Sequence, residues 1–313
     1  MRALVTGAAG FAGSHLVDHL LAEGDEIGAL VLPSDKLLPE HRDRVRRFDG
    51  DIVRLEDAEA AIGEFQPEVV YHLAGIAFVP LGATPPAVML NVNLNGTLNM
   101  LEALRRHATE AKFVFAGSAE VYGAKPETAY PLSETATPSP TSLYAHAKLF
   151  AEQSIAWYGR EFGVRSVTLR LFNHIGPRQS RQFAIASFAE QLREIRAGRR
   201  EAVLHVGNLE ARRDFTDVRD VARAYRLVGS RETRHPFYHV ASGNALTIHE
   251  VLNRMISLAG IDVEIRRDPD RLRPSDVPLY LGSFERIQSE LGWAPEIPLE
   301  RTLRDLLGGQ QDS

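Results

Sequence analysis

Arg2-Ala-Leu-Val-Thr-Gly7-Ala-Ala-Gly10-Phe11-Ala-Gly13-Ser14-His-Leu-Val-Asp-His-Leu-Leu21 is the stretch that decides the fold. Arg2 to Thr6 is a short, mostly apolar run and three glycines follow. Leu16 with Leu20 and Val17 with Leu21 then recur at helical spacing. The stretch reads as strand, loop, helix. A glycine loop in that context lets the backbone approach a pyrophosphate, and the amides and dipole of the next helix stabilise the anion. Gly7, Gly10 and Gly13 are placed for that role. The plainer alternative is a tight turn that only lets the helix pack closely.

Outward from this stretch the alternation repeats. Ile27 to Leu32 is strand-like, as is Glu68-Val-Val-Tyr-His-Leu-Ala74; Leu94 to Arg105 is helical and Lys112 to Gly117 is another buried strand. A helix carrying Tyr144 and Lys148 is expected to run to Phe162, followed by a strand over Val164 to Phe172. Alternating strands and helices imply right-handed crossovers and a parallel sheet, so the fold class is α/β, a doubly wound Rossmann-type sheet. Its ligand belongs beyond the carboxyl ends of the strands. From Asn173 the texture becomes polar, arginine-rich and proline-punctuated, with helical periodicity over Phe183 to Ile195 and Leu246 to Leu258. Asp217 to Val228 reads as an amphipathic helix and Phe237 to Ala241 as a strand. The expected division is therefore discontinuous: 1–172 with about 215–242 as the dinucleotide-binding domain, and 173–214 with 243–307 as a smaller substrate-binding lobe.

Composition narrows the function classes. With 313 residues, 44% of them hydrophobic and 25% charged, the chain has ordinary globular content. A net charge of -5 gives no electrostatic case for a nucleic-acid partner. The absence of cysteine excludes disulfides, thiolate metal ligands and cysteine nucleophiles. Met1 leads directly into strand-like residues with no basic or apolar leader, and no run has the length to cross a bilayer. The expectation is a cytoplasmic protein with no membrane association. The histidines lack metal-binding spacing, so no metal is expected.

Two further segments carry chemistry. Tyr144-Ala-His-Ala-Lys148 puts a phenol and an ammonium one helical turn apart, where the positive charge is expected to favour the phenolate and make Tyr144 a proton donor to a carbonyl. Ser118 closes the apolar strand Phe113 to Ala116, within Gly117-Ser118-Ala119-Glu120-Val121-Tyr122-Gly123, so its hydroxyl is expected to face the same substrate oxygen. Together they form a proton-transfer set for hydride chemistry at a carbonyl or carbinol. Asp51 and Ile52 could offer a carboxylate and an apolar wall to an adenine. The second strand ends Leu32-Pro-Ser34-Asp35-Lys36 with no acid squarely at the ribose position, while Ser34 and Lys36 could accept a phosphate. The expectation is NADP(H), with NAD(H) also usable. Arg213 and Arg273, in the second lobe, suit bidentate contact with a substrate diphosphate, although pairing with Asp214 or Asp276 is the simpler reading for either.

With these segments in view, the chain resembles the extended short-chain dehydrogenase/reductases that act on nucleotide sugars. The resemblance rests on GAAGFAG, DGDI, YHLAG, Asn93-Leu-Asn-Gly-Thr97, YAHAK and RRDFTDVRDVARAY. It implies catalysis by Ser118, Tyr144 and Lys148. It also implies a cofactor lined by Gly7, Gly10, Phe11, Gly13, Asp51, Ile52, Leu73, Ala74, Asn93, Tyr144 and Lys148. Ser118, Glu120, Asn173, Asn208, Arg213, Arg273 and Asp276 would contact the substrate. Leu171-Phe-Asn173-His174-Ile-Gly-Pro-Arg178 and Arg273-Pro-Ser-Asp276 look like the GDP-mannose branch, which implies a GDP-sugar substrate. Within it, the resemblance implies reduction at C4 of GDP-4-keto-6-deoxy-D-mannose to GDP-D-rhamnose, with GDP-mannose 4,6-dehydration or C4 epimerisation as alternatives. Ala119 stands where the dehydratases carry a polar neighbour, their arginine pair after the second strand is missing, and the chain is short for one. Glu120 occupies the dehydratase glutamate position. The resemblance also implies a homodimer through helices spanning about Asn95 to His107 and Tyr144 to Phe162.

Overall fold

The computed structural model describes residues 1–77, 85–271 and 277–308. Six strands come first: β1 (Arg2–Thr6), β2 (Glu26–Val31), β3 (Val45–Asp49), β4 (Val69–His72), β5 (Lys112–Ser118) and β6 (Ser166–Leu171). Every neighbouring pair is parallel. Helices cover both faces, so the strands read as near-continuous apolar runs. α1 (Phe11–Ala22) lies on one face. On the other, α2 (Leu55–Phe65) is followed by α3 (Pro86–Leu90), α4 (Gly96–His107) and α5 (Leu143–Phe162). Ser142 caps α5 by accepting the Ala145 amide at 3.1 Å, and Gly163, at φ +71°, ends it.

The chain then leaves the sheet through β7 (Asn173–Ile175), α6 (Ala184–Arg196), β8 (Val203–Val206) and β9 (Arg212–Asp217). It returns with α7 (Val218–Ser230), which packs against α1, and β10 (Phe237–Val240), which adds to the free edge of β6. The seven-stranded order is β10-β6-β5-β4-β1-β2-β3. This doubly wound parallel sheet is the fold expected from the sequence, and β10 makes the return that Phe237 to Ala241 suggested.

β9 is the hub of the second region. It pairs with β7, antiparallel with β11 (Ala245–Thr247), and parallel with β13 (Leu279–Tyr280). β12 (Glu264–Arg267) pairs with β8. Gln191 of α6 covers the backbone of β8, bonding both the amide and the carbonyl of His205 at 2.9 and 3.1 Å. The apolar core here joins Leu192 of α6 to Val251 and Met255 of α8 (Ile248–Ala259) and Leu303 of α10 (Leu299–Gly308), while α9 (Glu285–Leu291) packs on β10. None of these short strands was legible from periodicity. Among the described residues no helix is long and apolar enough to cross a membrane.

One helix differs from the expectation. Leu94 to Arg105 is the second half of a continuous helical run over 86–107, interrupted by a π-turn at Asn91–Asn95. The three asparagines break the apolar period. The extra residue in the turn rotates Asn93 inward, leaving it 1% exposed.

Candidate active site

The carboxyl ends of β1, β4 and β5 meet at one edge of the sheet, and the loops leaving them carry the residues singled out above. After β1, Gly7 takes φ +71° and its carbonyl accepts the Gly10 amide at 3.0 Å. A side chain on Gly7 would come within 2.8 Å of the Ala74 amide nitrogen, and one on Gly13 within 2.0 Å of the Gly7 carbonyl oxygen. Glycine is therefore required at both positions. α1 begins at Gly10 without any side-chain cap, which leaves its first amides directed outward. A bare helix N-terminus behind a close backbone turn fits a dinucleotide pyrophosphate.

The wall beside the loop is built by a buried hydrogen-bond chain. Thr6 Oγ1 accepts the Ala74 amide at 3.1 Å and meets His72 Nδ1 at 2.8 Å; His72 Nε2 meets Thr97 Oγ1 at 3.1 Å. Burial and the nearby Lys148 ammonium pull the His72 pKa down to about 3, so the ring is neutral. Asn93 accepts the Ile76 amide at 2.7 Å and donates to its carbonyl at 3.0 Å. Its amide is thus engaged with the loop after β4, and it supports the cofactor wall where the sequence reading had it touch the cofactor. Gly75 has a reason too. A Cβ there would lie 2.9 Å from Asn93 Oδ1 and 3.7 Å from Lys148 Nζ.

Beyond β3, Asp51 is half-buried and holds the Val53 amide with Oδ1 at 3.1 Å. Ile52 is 6% exposed and packs in the core against Gly96. The carboxylate of Asp51 is the accessible group, and the Ile52 side chain is not the open apolar wall expected for an adenine. After β2, Arg47 ties down the turn by donating to the carbonyls of Leu32, Pro33 and Asp35. Asp35 turns its own carboxylate back to the Leu32 amide at 3.3 Å. A depression of about 430 Å³ opens beside this turn, lined by Pro33, Asp35, Lys36, Leu37, Arg42 and Arg47.

Ser118 ends β5, and its hydroxyl accepts the Glu120 amide at 3.2 Å. Tyr144 opens α5, half-buried beside it. Burial pushes the Tyr144 phenol well above its ordinary pKa and the Glu120 carboxylate adds to this, while the bond to the Ser118 hydroxyl offsets part of it. The sequence had suggested a phenol lowered by Lys148. Instead Lys148 Nζ donates to the Ala116 carbonyl at 2.9 Å and sits 4.7 Å from the Phe115 ring centre and 5.9 Å from that of Tyr144. Burial brings its own pKa down to about 8, against the pull of Glu152. Tyr144 is therefore a protonated acid at neutral pH, the state needed to protonate an alkoxide. Glu120 is exposed, and Ser142 Oγ donates to its carboxylate at 3.4 Å.

Other expected contacts are dispersed. Asn173 is exposed at the start of β7, directly after β6. Asn208 holds the Glu210 amide at 3.0 Å. Arg213 donates to its neighbour's carbonyl at 2.9 Å and lies 5.3 Å over the Tyr280 ring. The next residue, Asp214, is fully buried and accepts from Ser242, Gly243 and Gly282, so it staples two loops to β9 instead of serving as a surface partner. Arg273 and Asp276 lie outside the described residues. Phe11 stacks on His174 of β7, with ring centres 5.7 Å apart and planes 6° from parallel. That contact joins the glycine loop to the second region. Sequence reasoning missed the inward role of His174, and also Glu152 and Arg170, which form a buried ion pair behind Lys148. The i+4 spacing of Glu152 from Lys148 was the available signal.

A family model described as GDP-mannose 4,6 dehydratase matches residues 4–306. A GDP-6-deoxy-D-mannose reductase of Pseudomonas aeruginosa is 36% identical, covering 98% of this chain and 96% of its own. A GDP-mannose 4,6-dehydratase of Yersinia enterocolitica is 26% identical, covering 98% and 93%. Among solved structures, RMD from Pseudomonas aeruginosa complexed with NADPH superposes with a TM-score of 0.85 at 34% identity over 98% of this chain and 97% of its own. The Thermus thermophilus UDP-glucose 4-epimerase complexed with NAD gives 0.87 at 34%, over 98% of each chain. With a family model that spans residues 4–306 and a relative 36% identical over 98% of the chain, the protein belongs to the GDP-mannose 4,6 dehydratase family and is an NAD(P)-dependent oxidoreductase of the extended short-chain dehydrogenase/reductase type.

Proposed function

We propose that the protein reduces the C4 ketone of GDP-4-keto-6-deoxy-D-mannose to give GDP-D-rhamnose, with NADPH preferred over NADH. The observation that carries this reading is the 36% identity to a GDP-6-deoxy-D-mannose reductase, set against 26% to a dehydratase of the same family. Ala119 agrees with it. Its apolar side chain is 4% exposed, so the position between Ser118 and Glu120 offers no second proton donor for a departing hydroxyl.

The reduced nicotinamide supplies the hydride that C4 receives. The Ser118 hydroxyl orients the ketone oxygen, and Tyr144 gives its proton to that oxygen as the carbinol forms. The phenolate left on Tyr144 is stabilised by its bond to the Ser118 hydroxyl, and the Lys148 ammonium, 5.9 Å from the ring centre, adds a longer-range positive field. The segments 173–214 and 243–307 hold the nucleotide sugar, with Asn173, Asn208 and Arg213 among the contacts; the guanidinium of Arg213, stacked over Tyr280, is suited to a phosphate. The sequence adds Arg273 and Asp276, outside the described residues, to the proposed substrate contacts. Lys36 and Arg42, lining the depression after β2, favour a 2′-phosphate, because the Asp35 carboxylate that would repel it is turned onto its own backbone.

The protein acts as a homodimer in this reading. Leu143, Phe150 and Trp157 recur every seven residues along α5 and are 38%, 54% and 45% exposed, an apolar stripe suited to a second copy. A second reading, dehydration of GDP-mannose, rests on Glu120, whose carboxylate acts on the Tyr144 phenol and could serve as a base. Purified protein mixed with GDP-4-keto-6-deoxymannose and NADPH, with the product identified by NMR, separates the two. Stoichiometric oxidation with GDP-rhamnose formed supports the reductase. No oxidation, together with unaided conversion of GDP-mannose to the keto sugar, replaces it with the dehydratase.

A further inference from the structure

Behind the active site lies a buried polar network that the proposed mechanism does not use. Arg170 of β6 is 4% exposed and grips Glu152 of α5 through Nε and NH2, at 3.0 and 2.7 Å to the same carboxylate oxygen. Its remaining arm, NH1, donates to Tyr122 Oη at 2.7 Å, and Tyr122 Oη meets His239 Nε2 at 2.6 Å. The guanidinium also lies 3.8 Å over the Phe237 ring. A network of this kind costs desolvation and is weak evidence for stability, so its placement needs another explanation.

Its placement borders the residues on either side of Lys148 and Ser118. Glu152 is four residues after Lys148 and shares its helix face. Both head groups lie against consecutive residues of β5: Lys148 Nζ bonds the Ala116 carbonyl, and Glu152 Oε1 would be 2.9 Å from any Cβ at Gly117. Arg170 is the ladder partner of Gly117, and Leu171 that of Ser118. Tyr122 ends the short 3-10 turn Ala119–Tyr122 that carries Glu120 and is capped by Ser118.

We infer that Glu152 is a positioning residue for Lys148: its buried carboxylate is the counter-charge of the Lys148 ammonium, and Arg170 locks that carboxylate to the turn that Ser118 caps. The inference rests on the catalytic reading of Lys148. The charged and titratable groups around Lys148 are Tyr144 and Glu152 on its own helix, His72 at the end of β4, Glu120 in the turn after β5 and Arg170 on β6; the π-turn brings only Asn93. His72 is neutral and Glu120 is exposed, so Glu152 is the anion held in the low-dielectric interior. Burial raises the Glu152 pKa, but its fork to a guanidinium that cannot lose its proton keeps it ionised. Removing its charge leaves Arg170 as the nearest buried charge, which disfavours the ammonium.

The chain has only four lysines, Lys36, Lys112, Lys125 and Lys148, so carbon-13 labelling at lysine Cε gives four signals to follow with pH. In the full chain, with Lys148→Met identifying the resonance, Lys148 is expected to titrate near pH 8. In Glu152→Gln it is expected to fall by about one pH unit or more, while NADPH still binds within about threefold. Turnover in Glu152→Gln is expected to drop at least about tenfold with a correspondingly lowered alkaline limb, and Glu152→Asp to restore much of it. An unchanged Lys148 titration in Glu152→Gln overturns the inference. If that variant does not fold because Arg170 is left unpaired, Glu152→Gln with Arg170→Gln removes both charges, and the same titration decides. The titration needs no sugar substrate, so a failure of the proposed reaction would leave it readable.

Discussion

Gly13→Ala tests the cofactor cradle at its tightest point. Gly13 has no left-handed backbone requirement, so the cost is purely one of space: the new methyl would sit 2.0 Å from the Gly7 carbonyl oxygen, 2.8 Å from its carbon and 3.0 Å from Ala8 Cα. A comfortable carbon–oxygen contact is longer by more than about 1 Å. The obstacle is backbone on both sides, so α1 must back away from the loop or the loop must open. Overpacking of this kind costs about 1–3 kcal/mol of stability. The same shift lengthens the amide contacts offered to a pyrophosphate; losing one charge-assisted hydrogen bond is worth about 1.5–3 kcal/mol, or roughly 10- to 150-fold in NADPH affinity. The assay is a fluorescence titration of NADPH alongside a thermal melt. Gly24→Ala is the control, since Gly24 has φ +78° but open space around its Cβ; it should lose stability without losing affinity. Unchanged NADPH affinity in Gly13→Ala would refute the placement of the pyrophosphate.

Tyr144→Phe keeps the ring and removes the proton, so turnover should fall about 10²-fold or more with NADPH affinity retained; near-normal turnover removes Tyr144 from the proton-transfer role. The pH dependence has a definite sign: the Lys148 pKa is lowered to about 8, so the ammonium is present below that pH and lost above it, and turnover should decline as pH rises through about 8. A rate profile that stays flat to pH 9.5 contradicts this. Lys36→Glu should weaken NADPH by about tenfold or more and leave NADH little changed, read as the ratio of the two kcat/KM values; an equal loss for both moves the 2′-phosphate elsewhere. Phe150→Glu with Trp157→Arg should give a monomer by light scattering while the fold persists by circular dichroism; a dimer that survives both substitutions removes α5 from the interface.

The sequence by itself determined the elements whose signals are local. The strand, glycine loop and helix at the start, the strand ending at Ser118, and the tyrosine and lysine sharing a helical turn are each written within about twenty residues, where periodicity and turn chemistry leave few alternatives. The return of the chain to the sheet was legible because α7 and β10 are strongly patterned. What lay beyond reach were directions and pairings. The π-turn that aims Asn93 at Ile76 shows in sequence only as an interrupted apolar period. The Lys148 ammonium turns to the Ala116 carbonyl because β5 runs beneath it, and this makes the phenol pKa a matter of burial instead of helical spacing. The short strands around β9 lack periodicity of their own and form because β9 presents free ladder positions to distant segments. The Glu152, Arg170 and Tyr122 network joins residues from a helix, a strand and a turn. Only tertiary structure could decide it, because a buried charge finds its partner through the topology of the sheet and the space left by Gly117, neither of which a local pattern encodes.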